Sequence, residues 1–243
     1  MAGEVVLKKI VVLLGAFSLA LLPYSAAHAQ TQSQSSTSTL TSSSSTPANT
    51  NYISAVMQRD PWDRGVFLDG GFGTNAQTNI HFLNAGVRLG KVLTDAAGPG
   101  YLHGQFEYAV EFMPYWQSFT PKGVMDVTTG SPPQTVSHAT GGTFTGVSIT
   151  PIILRWNLVH WHRVMPWMQG AGGLIWTDHK FPQPGTSVWN FSPQFGVGMH
   201  YFVKPKQAIT FAANAEHISS ASLGDKNPGV NASVQFQIGY TWF

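Results

Sequence analysis

Ser187-Val188-Trp189-Asn190-Phe191-Ser192-Pro193-Gln194-Phe195-Gly196-Val197-Gly198-Met199-His200-Tyr201-Phe202-Val203 decides the fold. Trp189, Phe191, Pro193, Phe195, Val197, Met199, Tyr201 and Val203 share one parity, and Asn190, Ser192, Gln194, Gly196, Gly198 and His200 the other. A period of two marks a strand with one apolar and one polar face. The run far exceeds the roughly 5–6 residues usual in soluble sheets. Tyr101 to Trp116 repeats the pattern, with Leu102, Gly104, Phe106, Tyr108, Val110, Phe112, Pro114 and Trp116 set against His103, Gln105, Glu107 and Glu111. Weaker runs at 65–73, 80–93, 143–159, 163–177 and 207–219, and a last one at 230–243, bring the total to eight, an even number suited to a small closed barrel. The fold class read from this is all-β, an eight-stranded antiparallel transmembrane β-barrel. Expected outward are Phe106, Tyr108, Phe112, Phe195, Val197, Phe211 and Phe236; expected inward are Glu107, Glu111, Asn190 and Gln194. A soluble sandwich or lipocalin-like barrel shares the alternation but would turn all these aromatics toward water.

The flanks of the runs orient the barrel. With the N-terminus in the periplasm, the outer connections are 74–79, 117–142, 178–186 and 220–229, and the inner ones 94–100, 160–162 and 204–206. Short inner turns and longer outer loops are the asymmetry of outer-membrane barrels. The chain ends Tyr240-Thr241-Trp242-Phe243, an aromatic terminus typical of such barrels, although the register of Val234, Phe236, Ile238, Tyr240 and Trp242 puts Phe243 on the opposite face.

Lys8 and Lys9, the apolar run Ile10 to Leu22 and Ala27-His28-Ala29 have the layout of a signal peptide cleaved after Ala29. Residues 30–62 then read as a Ser/Thr-rich disordered tether and lead-in, because they offer too little apolar surface to offset ordering entropy. The barrel is expected over 63–243. No later apolar stretch approaches the ~18 residues of a helical span. With no cysteine there is neither a disulfide nor thiolate chemistry, and a net charge of +2 gives no basis for a nucleic-acid partner.

Chemistry concentrates at the end of the seventh run. Ile209, Phe211, Ala213 and Ala215 set the outward register, and extending it reaches His217 and Ser219. An imidazole and a hydroxyl on one face suit a base and a nucleophile, although polar side chains at a barrel rim also cost little, roughly 0–1 kcal/mol. Glu107 and Glu111 share a face as a glycosidase pair would, but a polar lumen accounts for both, paired with Arg88 or Arg155. His160 and His162 have a spacing that can hold a metal, yet they fall in a tight turn beside Trp156, Trp161 and Trp167, which reads as an interfacial girdle. No Gly-x-Ser-x-Gly elbow, Walker loop or His-Glu-x-x-His motif is present.

The stretch His217 to Asn231, with His-x-Ser, the small Ala221 and Asn227-Pro228-Gly229 before the last strand, resembles the lipid A 3-O-deacylase (PagL) family of outer-membrane acyl hydrolases. The resemblance implies a carboxylic ester hydrolase in the cell outer membrane that removes the 3-position acyl chain of lipid A, with lipopolysaccharide as its substrate and no cofactor or metal. It makes Ser219 the nucleophile and His217 the base. Ser220 stands where the family often carries an oxyanion-stabilising Asn. Asn231 stands where well-known members have the acidic third residue; an amide there orients the imidazole without supplying charge. The register of Val234 to Trp242 turns Asn231 inward unless a bulge near Ala232 shifts the phase, so Asp225 is the second choice for that role. The alternative function is a non-enzymatic barrel, structural or adhesive.

Overall fold

The computed structural model describes residues 51–243 apart from 75, 76, 78 and 228, with only the backbone at 55, 129 and 231. The expected signal peptide (1–29) and the tether to residue 50 lie outside the described residues. Each alternating run forms a strand: β1 (Trp62–Gly73), β2 (His81–Val92), β3 (Gly104–Thr129), β4 (Gln134–Leu158), β5 (Val164–Phe181), β6 (Ser187–Lys204), β7 (Gln207–Ile218) and β8 (Val230–Trp242). Every strand pairs antiparallel with its neighbour, and β8 closes on β1 with Arg64 opposite Trp242. The closure leaves no free edge, as a strand structure in lipid requires.

Alternation sorts the side chains as their polarity dictates. Tyr108, Phe112, Phe195, Val197, Phe211 and Phe236 stand exposed on the outer wall, with Phe106 half-buried among them. Inside, Glu107 is fully buried, Glu111 and Asn190 nearly so, and Gln194 lines an interior cavity. Arg88 pairs with both Glu107 and Glu111 and lies 3.6 Å from Asp63. Arg155 instead donates to Gln169 Oε1 and lies over the Trp167 ring. Its Nη1 meets His200 Nε2, which must therefore accept, leaving Nδ1–H to donate to Thr210.

This polar middle is closed by apolar clusters at both ends. At the outer rim Ile80, Phe82, Trp116, Phe144, Ile175, Phe181, Ile218 and Val230 pack together inside the barrel. At the inner rim Val159, Met165, Phe202 and Ala208 enclose Ile53 and Val56, so the segment just before β1 is built into the barrel mouth. Phe243 packs at this same end, 5.2 Å from the Phe202 ring, on the inward face that the β8 register assigned to it.

Two expectations change. The connection expected at 117–142 is largely strand: β3 and β4 continue past their neighbours as a two-stranded ribbon turning at 130–133. Val127 opposite Val136 and Thr128 opposite Thr135 supply the β-branched pairs that favour extended backbone. Trp116, read as part of the outward register of Tyr101 to Trp116, is buried inside, because an irregularity between Met113 and Trp116 reverses the parity of β3.

Candidate active site

The end of β7 is fixed from both sides. Toward β6, Ser219 and Phe191 exchange backbone hydrogen bonds of 3.0 and 2.7 Å. Toward β8, Glu216 lies opposite Ser233 but Ile218 opposite Val230, so two residues, Asn231 and Ala232, face the single residue His217. This is a bulge at Asn231 and Ala232, the condition on which an outward Asn231 depended, and it sets the Asn231 backbone across the ladder from His217. Alternation then makes His217 exposed on the outer wall, Ile218 fully buried in the outer apolar cluster, and Ser219 half-buried back on the outer side. Imidazole and hydroxyl thus share the outward parity of the strand end, on either side of the buried isoleucine.

Beyond Ser219 the chain makes a tight turn. Ala221 and Ser222 have φ of 46° and 64°, and Leu223 N–H donates to Ser220 C=O at 2.9 Å, the geometry of a type I′ turn built without glycine. Two left-handed non-glycine residues store strain of about 1–3 kcal/mol each, and such strain gathers at functional sites. Asn227 holds this turn. Its Oδ1 accepts from Ser220 N–H at 3.0 Å, Ser220 O–H at 2.9 Å and Ser219 O–H at 3.1 Å, while Ala221 N–H donates to Ser219 Oγ at 3.1 Å. The assignment of the oxygen is forced, because a backbone N–H can only donate. Asn227 is the residue that sequence reasoning quoted without giving it a role. Its one sequence signal is an asparagine directly before a proline, which marks a turn.

The remaining candidates separate. Ser220 is buried with both its donors on Asn227. Asp225 is exposed in the connection from β7 to β8. His160 lies against the Tyr101 and Trp161 rings, and no cluster of metal-ligating side chains occurs among the described residues. Below the rim, His217 lines a groove of about 470 Å³ on the outer wall that runs from Gly170 across Pro193 and Phe195 to Ala215 and Ala232.

A closed barrel with a charged interior, an aromatic wall and a histidine and serine on that wall at one rim is a transmembrane β-barrel of the outer-membrane kind. The model of the lipid A 3-O-deacylase (PagL) family matches residues 100–241, more than half of the 243 residues, and the chain belongs to that family. Among solved structures it is similar to the outer membrane enzyme PagL (14% identity, TM-score 0.38, covering 72% of this chain and 98% of that one). It is also similar to Neisserial surface protein A (11%, 0.46, 74% and 95%) and to OprG from Pseudomonas aeruginosa (10%, 0.39, 76% and 97%). No curated protein sequence matches the chain.

Proposed function

We propose that this barrel is an ester hydrolase that removes the 3-position acyl chain of lipid A from within the outer membrane, after export by a signal peptide cleaved behind Ala29. Ser219 Oγ attacks the ester carbonyl, and its proton passes to the His217 imidazole. His217 then returns that proton to the sugar oxygen as the C–O bond breaks, and activates the water that frees the fatty acid from Ser219. For this the Ser219 O–H leaves the Asn227 oxygen and donates to the His217 imidazole. Asn231 orients the imidazole from the bulge opposite, with Asp225 as the second choice. Asn227, whose amide nitrogen carries two N–H donors on the same group that clamps the nucleophile, belongs to the oxyanion side, and Ser220 joins it by turning its O–H away from the Asn227 oxygen. The chemistry calls on no metal or cofactor. With the N-terminus in the periplasm β7 runs outward, so the site meets the outer leaflet and lipopolysaccharide arrives laterally.

What supports this reading is one conjunction: in a chain of this family, an exposed His217 and a half-buried Ser219 share the outward parity at the end of β7, on either side of a buried Ile218. The test is the mass of lipid A from cells expressing the wild type, Ser219→Ala or His217→Ala, with barrel folding followed by heat-modifiable migration. Each substitution is expected to lower deacylation by at least about 10²-fold while the barrel still folds. A folded variant with full activity overturns the assignment.

A further inference from the structure

The groove under His217 extends sideways beyond the strand that carries the site. Along β7, Ala215 and Ala213 form a low floor directly below His217, flanked by Phe195 and Val197 of β6 and by Val234 and Phe236 of β8. The groove continues past Phe195, which stands 59% exposed as a ridge, to Gly170 on β5. Gly170 pairs with Phe195 and Gly172 with Pro193, and on their other side Leu154 and Ile152 of β4 rise as a far wall.

Neither glycine is required by the fold. A Cβ added at Gly170 or at Gly172 meets nothing within 4 Å, and neither residue has a positive φ. Gly in a strand interior is destabilising relative to Ala. A strand glycine marks a bulge, a bend or a close approach by a ligand; Gly172 borders the slip between Ile149 and Ile152, whereas Gly170 lies in regular ladder on both sides, which leaves close approach. Here the surrounding medium is acyl chain, and the trough is continuous with the groove that His217 lines.

We propose that the Gly170–Gly172 trough holds a second acyl chain of the same lipid, beside the chain being cut, with the Phe195 ring between them. The inference rests on the ester-hydrolase reading above and deepens it. One strand, β6, separates the trough floors, so their centres lie two strand spacings or about 10 Å apart, enough for one ring between two chains that leave a common headgroup. The site thereby selects a multiply acylated lipid over a single-chain ester.

Binding tests this apart from turnover. In a Ser219→Ala background in detergent micelles, purified lipid A and a monoacylglycerol are titrated calorimetrically against the Gly170 and Gly172 parents, Gly170→Leu and Gly172→Leu. Each leucine is expected to weaken lipid A binding by at least about tenfold and to leave the monoacylglycerol within about twofold. Equal losses for both lipids, or no loss for either, overturn the proposal. Should leucine prevent folding, Leu154→Trp narrows the same trough from its far wall and carries the same expectation. If the Ser219-containing barrel hydrolyses no ester, the deacylase reading fails, while the comparison of the two lipids still decides whether a second chain is held.

Discussion

Ile218→Ala separates the anchoring of the site from the integrity of the barrel. Ile218 is fully buried between His217 and Ser219 and packs in the outer apolar cluster, directly opposite Val230. Truncating a buried isoleucine to alanine costs about 2–5 kcal/mol. The segment it anchors is held by five further hydrogen bonds, two between Ser219 and Phe191 and three to Asn227. At about 1 kcal/mol net each, these contribute about 5 kcal/mol, offset by the strain at Ala221 and Ser222 of about 1–3 kcal/mol each. Removing the isoleucine anchor therefore brings the local balance near zero, and the rim end of β7 opens for much of the time. Elsewhere the eight-strand ladder is untouched. Ile218→Ala is expected to lower lipid A deacylation by at least about tenfold, with heat-modifiable migration retained, whereas Ile218→Val, costing about 0.5–1.5 kcal/mol, stays within about tenfold of wild type. Mass spectrometry of lipid A and of released fatty acid gives the rates. Full activity in a folded Ile218→Ala barrel refutes the anchoring argument.

The third member of the site is decided by paired substitutions: Asn231→Ala is expected to lower the deacylation rate measurably and Asn231→Glu to match or exceed wild type, since general-base contributions run to about 10²–10⁴-fold. A silent Asn231→Ala beside a crippled Asp225→Ala places that role in the loop, and silence of both leaves a Ser–His dyad. In the interior, Arg88→Met strips Glu107 and Glu111 of their shared cation. The loss is expected to be about 3–5 kcal/mol, read from urea unfolding in lipid vesicles, and an unchanged midpoint contradicts it.

The barrel was legible because its strands must alternate. Lipid outside and charge inside leave a polarity at every second residue, so the strands and the inward placement of Glu107 and Glu111 follow from parity, the even count suits closure, and the choice of Arg88 over Arg155 as their partner belongs to the packed interior. Parity fails where the ladder slips. Trp116 reads as outward by counting from Phe106, yet the irregularity after Met113 buries it beneath Phe82 and Phe181, and nothing in Met113-Pro114-Tyr115 fixes which residue is the extra one. The ribbon from Thr120 to Gly142 was unread for a different reason. It stands beyond the other strands, both its faces are open, and its residues carry no apolar-polar alternation, only a β-branched content that favours strand weakly.

The site divides along the same line. His217 and Ser219 were readable because they extend the β7 register, which is local information. Asn227 was not, because its contribution depends on a turn that returns it to Ser219 and Ser220 eight and seven residues back, and a loop carries no period from which such a return can be counted. Asn231 lies between these cases. Counting from Val234 gives it the inward parity, and the bulge opposite His217 interrupts that count on the backbone. The slip that costs a ladder position on β8 is thus the feature that lets a strand-borne histidine face a residue of the neighbouring strand outside strict register. The same device that defeats parity at Trp116 recurs opposite His217, which is why the residues hardest to place from sequence include those nearest the proposed reaction.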